Sequence, residues 1–152
     1  MSDPRPPATD PLAPHLVVLL SRGAGAYRAA VRGRLLQSGF EDVPRSGSWL
    51  LATLVRAPGT VGELAAQLGT TKQGLSRMSD ALVHRGYLRR SSDPADHRLV
   101  RLLLTARGRV AAENVLAAVA EVDRSIERRA GHAALARAER ALGTLFGSDD
   151  QP

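Results

Sequence analysis

The sequence contains no cysteine, so disulfides, thiolate metal sites and thiol-based oxidant sensing are excluded from the start. Aromatic residues are scarce: two Phe, two Tyr and one Trp in 152 residues, too few to signal an aromatic ligand cage. No run of about 18 apolar residues exists, so no membrane-spanning helix and no membrane partner is expected. The N-terminus lacks the charged-then-apolar pattern of a secretory signal, and the expected location is cytoplasmic. The four histidines, His15, His84, His97 and His132, are nowhere paired at metal-ligand spacing. There is no G-x-S-x-G, no H-E-x-x-H and no Gly-rich phosphate loop, so neither an enzyme nor a cofactor is expected. Acidic residues are in deficit as well: 15 against 21 basic ones, a formal net charge of +6.

That excess is concentrated. Residues 60 to 109 hold Lys72, the chain's only lysine, and eight arginines against Glu63, Asp80, Asp93 and Asp96, a net of +5 in a third of the chain. A basic region so confined suggests a polyanionic partner, double-stranded DNA above all.

The same stretch carries the strongest local pattern. Thr60-Val61-Gly62-Glu63 is a capping box, and Val61, Leu64, Ala65 and Leu68 then fall on one helical face. Gly69 ends that helix, and Thr70-Thr71-Lys72-Gln73 reads as the second capping box, opening the next. Leu75, Met78, Leu82 and Val83 share one side of the second helix, while Lys72, Gln73, Ser76 and Arg77 share the other. Helix, Gly-containing turn and second helix with a basic leading edge predict a helix-turn-helix. After Gly86, Tyr87–Arg90 and Leu99–Leu104 read as two short strands around the turn-rich Ser91–Asp96, the pattern of a wing.

Here the sequence resembles the MarR family of winged helix-turn-helix transcriptional regulators. The wing carries Asp93-Pro94-Ala95-Asp96-His97-Arg98, followed by Leu104-Thr105-Ala106-Arg107-Gly108-Arg109, matching that family's D-P-x-D-x-R and L-T-x-x-G-R. The T-K-Q opening and R-G-Y end of the second helix look like one branch of it.

The remaining chain reads as follows. Residues 1–14, with five prolines, are expected to be a disordered arm, and 147–152 a polar tail. Leu16, Leu20, Tyr27, Val31 and Leu35 mark a long helix from His15 to about Ser38. Ser46 or Ser48 is the expected cap of a helix through Trp49, Leu50, Leu54 and Val55. Thr105 opens a helix to about Arg129, and a last helix spans about His132 to Phe146. The expected fold is therefore mainly α with a small antiparallel β-wing. A DNA-binding lobe over 46–105 is flanked by helical dimerisation regions, 15–45 and 106–146, because three flanking helices with apolar stripes must bury them somewhere.

The residues suggest roles directly. Arg forks onto guanine and Gln onto adenine in the major groove, which singles out Gln73 and Arg77, with Lys72 and Ser76 beside them. Thr70, Thr71 and the helix N-terminus suit phosphate oxygens. Gly74 departs from the small hydroxyl or Ala usual in the family and permits close approach to DNA at some cost in helix stability. The resemblance implies more: Arg98 matches the wing arginine that enters the minor groove. Asp96 matches the aspartate that braces the wing by pairing with an arginine such as Arg77 or Arg90. His97 stands where an Arg is common. The resemblance further implies a homodimer whose first and last two helices interdigitate. It also implies a small aromatic or anionic effector held between lobe and dimer helices, where His15, Tyr27 and Trp49 are candidates. The expected function is a ligand-responsive regulator, a repressor, on a pseudo-palindromic operator. The rival reading is an architectural or non-specific DNA binder or a protein-interaction module.

Overall fold

The computed structural model describes residues 15–93, 96 and 98–146. The arm at 1–14, the tail at 147–152 and the wing-tip positions Pro94, Ala95 and His97 lie outside the described residues. Among the described residues, six helices and three short strands follow one another. They are α1 (Leu16–Gln37), α2 (Ser48–Leu54), β1 (Gly59–Thr60), α3 (Val61–Gln67), α4 (Lys72–His84), β2 (Leu88–Ser92), β3 (Val100–Leu104), α5 (Ala106–Ala130) and α6 (His132–Phe146).

Local chemistry sets the helix starts. Thr60 accepts the Glu63 N–H while the Glu63 carboxylate takes the Thr60 N–H at 2.8 Å, so the first capping box forms. The second does not. Thr71, not Thr70, caps α4 by accepting the Gly74 N–H at 3.0 Å, and Gly74 at the third helical position has no side chain to reciprocate. Thr105 caps α5 by accepting the Gly108 N–H at 3.0 Å, as its sequence position suggests. Neither Ser46 nor Ser48 caps α2: Gly47 holds that position, and the Ser48 hydroxyl turns back to donate to the Arg45 carbonyl. Gly69 and Gly86, at φ 59° and 74°, close α3 and α4 in the left-handed region glycine enters without penalty.

The sheet has three strands rather than two, antiparallel, in the order β1-β3-β2. Leu88 pairs with Leu104 and Ser92 with Val100 along the wing, and Gly59 and Thr60 pair with Leu102 and Arg101 on the other edge of β3. The core lies where α2, α4, the sheet and the near halves of α1 and α5 meet. Leu35, Leu50, Leu51, Leu75, Leu82, Tyr87, Leu102 and Val115 are its largest fully buried apolar side chains. The near half of α5 contributes Ala111, Ala112, Val115 and Ala118, small residues that bring α1 and α2 close. No residue of α6 is buried. Leu16, Val17, Val18 and Leu19 at the start of α1 are exposed, as are Leu145 and Phe146 at the end of α6.

Candidate nucleic-acid interface

Helix α4 is anchored by Leu75, Ser79 and Leu82, which are buried. The opposite side is therefore fixed in register: Gln73, Arg77, Asp80 and His84 are exposed at successive turns, with Ser76 half-buried beside them. Thr70, Thr71 and Lys72 are exposed at the leading end. Thr71 uses its oxygen lone pair on the Gly74 N–H, and its hydroxyl proton remains available to a phosphate. At Gly74 an added Cβ would stand 3.1 Å from the Thr71 hydroxyl oxygen and 3.3 Å from that of Thr70, so glycine leaves both hydroxyls room. Lys72 turns back along the neighbouring helix: its Cε lies 3.3 Å from where a Cβ on Gly62 would be.

Carboxylates next to a surface meant for a polyanion would repel it, and all four acids of this region are neutralised or engaged. Asp80, on the outward stripe three residues after Arg77, forms an ion pair with Arg90 across to β2. Asp93, which is buried, pairs with Arg101, and Arg101 also donates to the Pro58 carbonyl at 3.2 Å. The Glu63 carboxyl is held below its ordinary range by the Thr60 N–H and hydroxyl at the head of α3. Arg77 and Arg98 are exposed and form no ion pair among the described residues.

The brace of the wing differs from expectation in its partners. Arg90 pairs with Asp80, not Asp96, and the arginine-bound aspartate of the wing is Asp93. Asp96 acts on backbone instead: its carboxylate accepts the Arg98 N–H at 3.0 Å and its carbonyl accepts the Leu99 N–H at 2.9 Å. The cause is register. Ser91 lies opposite Arg101, so Asp93, two residues on, shares the face to which Arg101 points. Asp96 sits beyond the last paired residues, in the turn, where a short acceptor side chain closes on its own backbone.

Of the three residues expected to line an effector crevice, two meet. Tyr27 and Trp49 share the wall of a cavity of about 510 Å³ between α1, α2, α5 and α6, with Arg28, Val119, Asp123 and Glu139. The Tyr27 hydroxyl donates to Asp123, and burial, then that carboxylate, push its pKa up to about 12. His15 does not reach this wall: it precedes the first turn of α1, roughly 18 Å from Tyr27 along the helix. Arg28 also borders two adjoining cavities. One, of about 310 Å³, is lined by Arg32, Val43 and Arg45, and the other, of about 460 Å³, by Arg45, Trp49, Thr70 and Met78. Arg28 and Arg45 were not legible as a pair in the sequence, since they come from α1 and the connector after it.

Residues 41–99, from the connector to the wing, match the model of the MarR family. This segment, 59 of the 152 residues, resembles the winged helix of the MarR family. Members of that family are transcriptional regulators and not enzymes. Solved structures agree in fold over most of the chain. A MarR transcriptional regulator from Methanosarcina mazei is 19% identical with a TM-score of 0.71, covering 86% of this chain and 93% of that one. MarR from E. coli in its apo form is 22% identical with a TM-score of 0.65, covering 88% and 98%. A transcriptional regulator from Thermotoga maritima is 24% identical with a TM-score of 0.54, covering 86% and 91%. No curated protein matches the chain by sequence. No helix among the described residues is long and apolar enough to cross a membrane.

Proposed function

We propose that the protein is a sequence-specific, homodimeric MarR-type repressor whose α4 enters the major groove and whose wing enters the minor groove of a pseudo-palindromic operator. The observation that carries this reading is the outward stripe of α4. Gln73 and Arg77 stand there as exposed, unpaired readers, while the one acid on the stripe, Asp80, is neutralised by Arg90. Gln73 and Arg77 suit adenine and guanine edges, Ser76 and Gly74 permit close approach, and Thr70, Thr71 and Lys72 suit backbone phosphate. Arg98 serves the minor groove by its charge, with Asp96 shaping the turn that presents it.

The dimer reading rests on α1, α5 and α6. A 15-residue helix with no buried residue gains little from its own chain, and isolated helices of that length are marginal in water. A second copy covering α6 and the Leu16–Leu19 end of α1 supplies the missing burial. The chain then divides into a lobe over 46–105 and a dimerisation region over 15–45 and 106–146. The two-fold axis sets recognition helices on half-sites about one turn, ~10 bp, apart. The crevice around Arg28, Tyr27 and Trp49 suits a small aromatic or anionic effector that shifts the lobes and releases DNA.

Selection of bound duplexes from a random pool tests the reading, and a two-fold symmetric motif is expected. On that motif Arg77→Ala should cost about 1–3 kcal/mol and relax base preference at one half-site position. Arg98→Ala should weaken many sequences together and lower the salt slope by roughly one to two per dimer. Enrichment of no motif, with tight binding to all duplexes, would replace the regulator by an architectural DNA coat. Sedimentation should give a dimer, lost on truncation before Ala29 or after Ala130.

A further inference from the structure

One side chain ties four parts of the fold together at the exit of α4. Arg107, in the first turn of α5, donates from Nη1 to the carbonyl of Arg85, the residue that caps the end of α4, at 2.9 Å. Its Nη2 donates to both oxygens of Asp42 in the connector between α1 and α2, at 2.9 and 3.1 Å. The guanidinium carbon lies 4.4 Å from the ring centroid of Tyr87, a cation–π distance. Tyr87 is fully buried, and its hydroxyl donates to the same Asp42. Beneath this, the carbonyl of Tyr87 accepts the N–H of Thr105 at 3.0 Å, and the Thr105 hydroxyl donates to the carbonyl of Gly86 at 2.6 Å.

We propose that Arg107 is a positioning residue for DNA binding: its forked guanidinium clamps the exit of the recognition helix to the start of α5 and so sets the angle at which α4 meets the groove. The inference rests on the reading of α4 as the recognition helix. The geometry makes that angle sensitive. Helix α4 has 13 residues, and at ~1.5 Å per residue a swing of about 5° at its exit moves its leading turn by roughly 1.7 Å. The useful range of a hydrogen bond is narrower, about 0.5 Å. Gln73 and Arg77 sit on the swinging half, and the clamp on the fixed one. A charge alone does not do this work. Lysine presents one compact ammonium and cannot bridge the Arg85 carbonyl, both Asp42 oxygens and the Tyr87 face together, whereas the planar fork of arginine does. Because α5 is also a proposed dimer helix, the same clamp fixes the spacing between the two recognition helices.

The test compares Arg107→Lys and Arg107→Ala with wild type, using the operator selected for the full chain and a series with its half-sites moved apart or together by one base pair. Amide hydrogen exchange is followed in parallel across the last turn of α4 and the first residues of β2. Both variants should exchange faster there. Both should lose about tenfold in operator affinity, the scale of a charge-assisted hydrogen bond, and show a flattened spacing preference, with the lysine no more than a partial rescue. Exchange unchanged from wild type, or an Arg107→Lys protein with wild-type affinity and spacing profile, overturns the proposal. If wild type binds no duplex at all, the DNA reading fails, and the exchange measurement still decides whether Arg107 is a clamp.

Discussion

Replacing Gly108 by alanine should destabilise the protein strongly, although alanine is the better helix former. Gly108 lies in the first turn of α5, buried against Tyr87, the residue before β2. A Cβ built on it would stand 1.9 Å from the carbonyl oxygen of Tyr87 and 2.9 Å from the carbonyl carbon. Ordinary carbon–oxygen contact begins near ~3.3 Å, so about 1.4 Å of movement is required. The obstacle is backbone, held by the Thr105 N–H, and cannot turn aside as a side chain can. Overpacking of this kind costs ~1–3 kcal/mol, and losing the Thr105 N–H bond adds about 1 kcal/mol. Helix propensity returns at most ~1 kcal/mol. A net loss of about 1–3 kcal/mol lowers the melting temperature by roughly 3–9 °C in a chain of this length. The control is Gly33→Ala in α1, where nothing lies within 4 Å of the added carbon, and which should gain about 0.5–1 kcal/mol. Thermal unfolding by circular dichroism, at one protein concentration throughout because oligomerisation shifts the midpoint, gives both signs. Gly108→Ala melting at or above wild type would refute the reasoning about this contact.

Two further outcomes follow from the packing. Tyr27 and Tyr87 are both pushed up to about 12, by burial first and then by the carboxylates of Asp123 and Asp42. The unfolded chain loses these protons near the ordinary ~10 and the folded one later, so stability is intact below that pH and falls as pH rises towards 12. Phenolate absorbance read beside a melting series should show the two tyrosines titrating late and together with loss of fold; titration at the ordinary pH in the folded protein would count against both contacts. Arg101→Ala removes the ion-pair partner of the buried Asp93 carboxylate and should cost about 1–3 kcal/mol in chemical denaturation. Arg89→Ala, which removes an exposed side chain of β2, should stay within about 0.5 kcal/mol; equal costs would mean that Arg101 does not brace the wing.

The helices were largely legible because their starts are written in side-chain chemistry. Thr60, Thr71 and Thr105 each accept a backbone N–H where the sequence places a cap, or within one residue of it. Where no such residue marks the start, the reading slips: the N-cap of α2 is Gly47, whose neighbouring serines looked like better caps. Strand β1 was invisible, since two residues, Gly59 and Thr60, cannot show alternation and form a strand only because β3 has a free edge there. The ion pairs of the wing were legible in type and not in partner. Choosing Asp93 over Asp96 for Arg101 needs the register of β2 on β3, which no local pattern states. The same holds for the crevice, whose Tyr27, Trp49 and Asp123 come from three helices. Sequence periodicity identified the apolar side of α6, and it says nothing about what covers that side.

Burial along the two long helices divides each at the same level of the molecule. In α1 the buried residues are Val31 and Leu35, both in its second half. In α5 they are Gly108, Ala111, Ala112, Val115 and Ala118, all in its first half. The other halves leave the lobe and run on with α6, so each helix is a rod with one end set in the core and the other outside it. Helix α5 alone, with 25 residues, is ~37 Å long. Close-packed ends do not yield gradually, so a displacement of the free end is passed to the set end as a small rotation. On α5 that end is Thr105, Arg107 and Gly108, the residues that grip Tyr87 and the last carbonyls of α4. On α1 the crevice around Arg28 and Tyr27 opens beside the point where the rod enters the core. Under the proposed function, a ligand wedged there would act on α1 and α5 at once, close to the fulcrum, where a shift of a few tenths of an ångström becomes a larger one at the leading turn of α4.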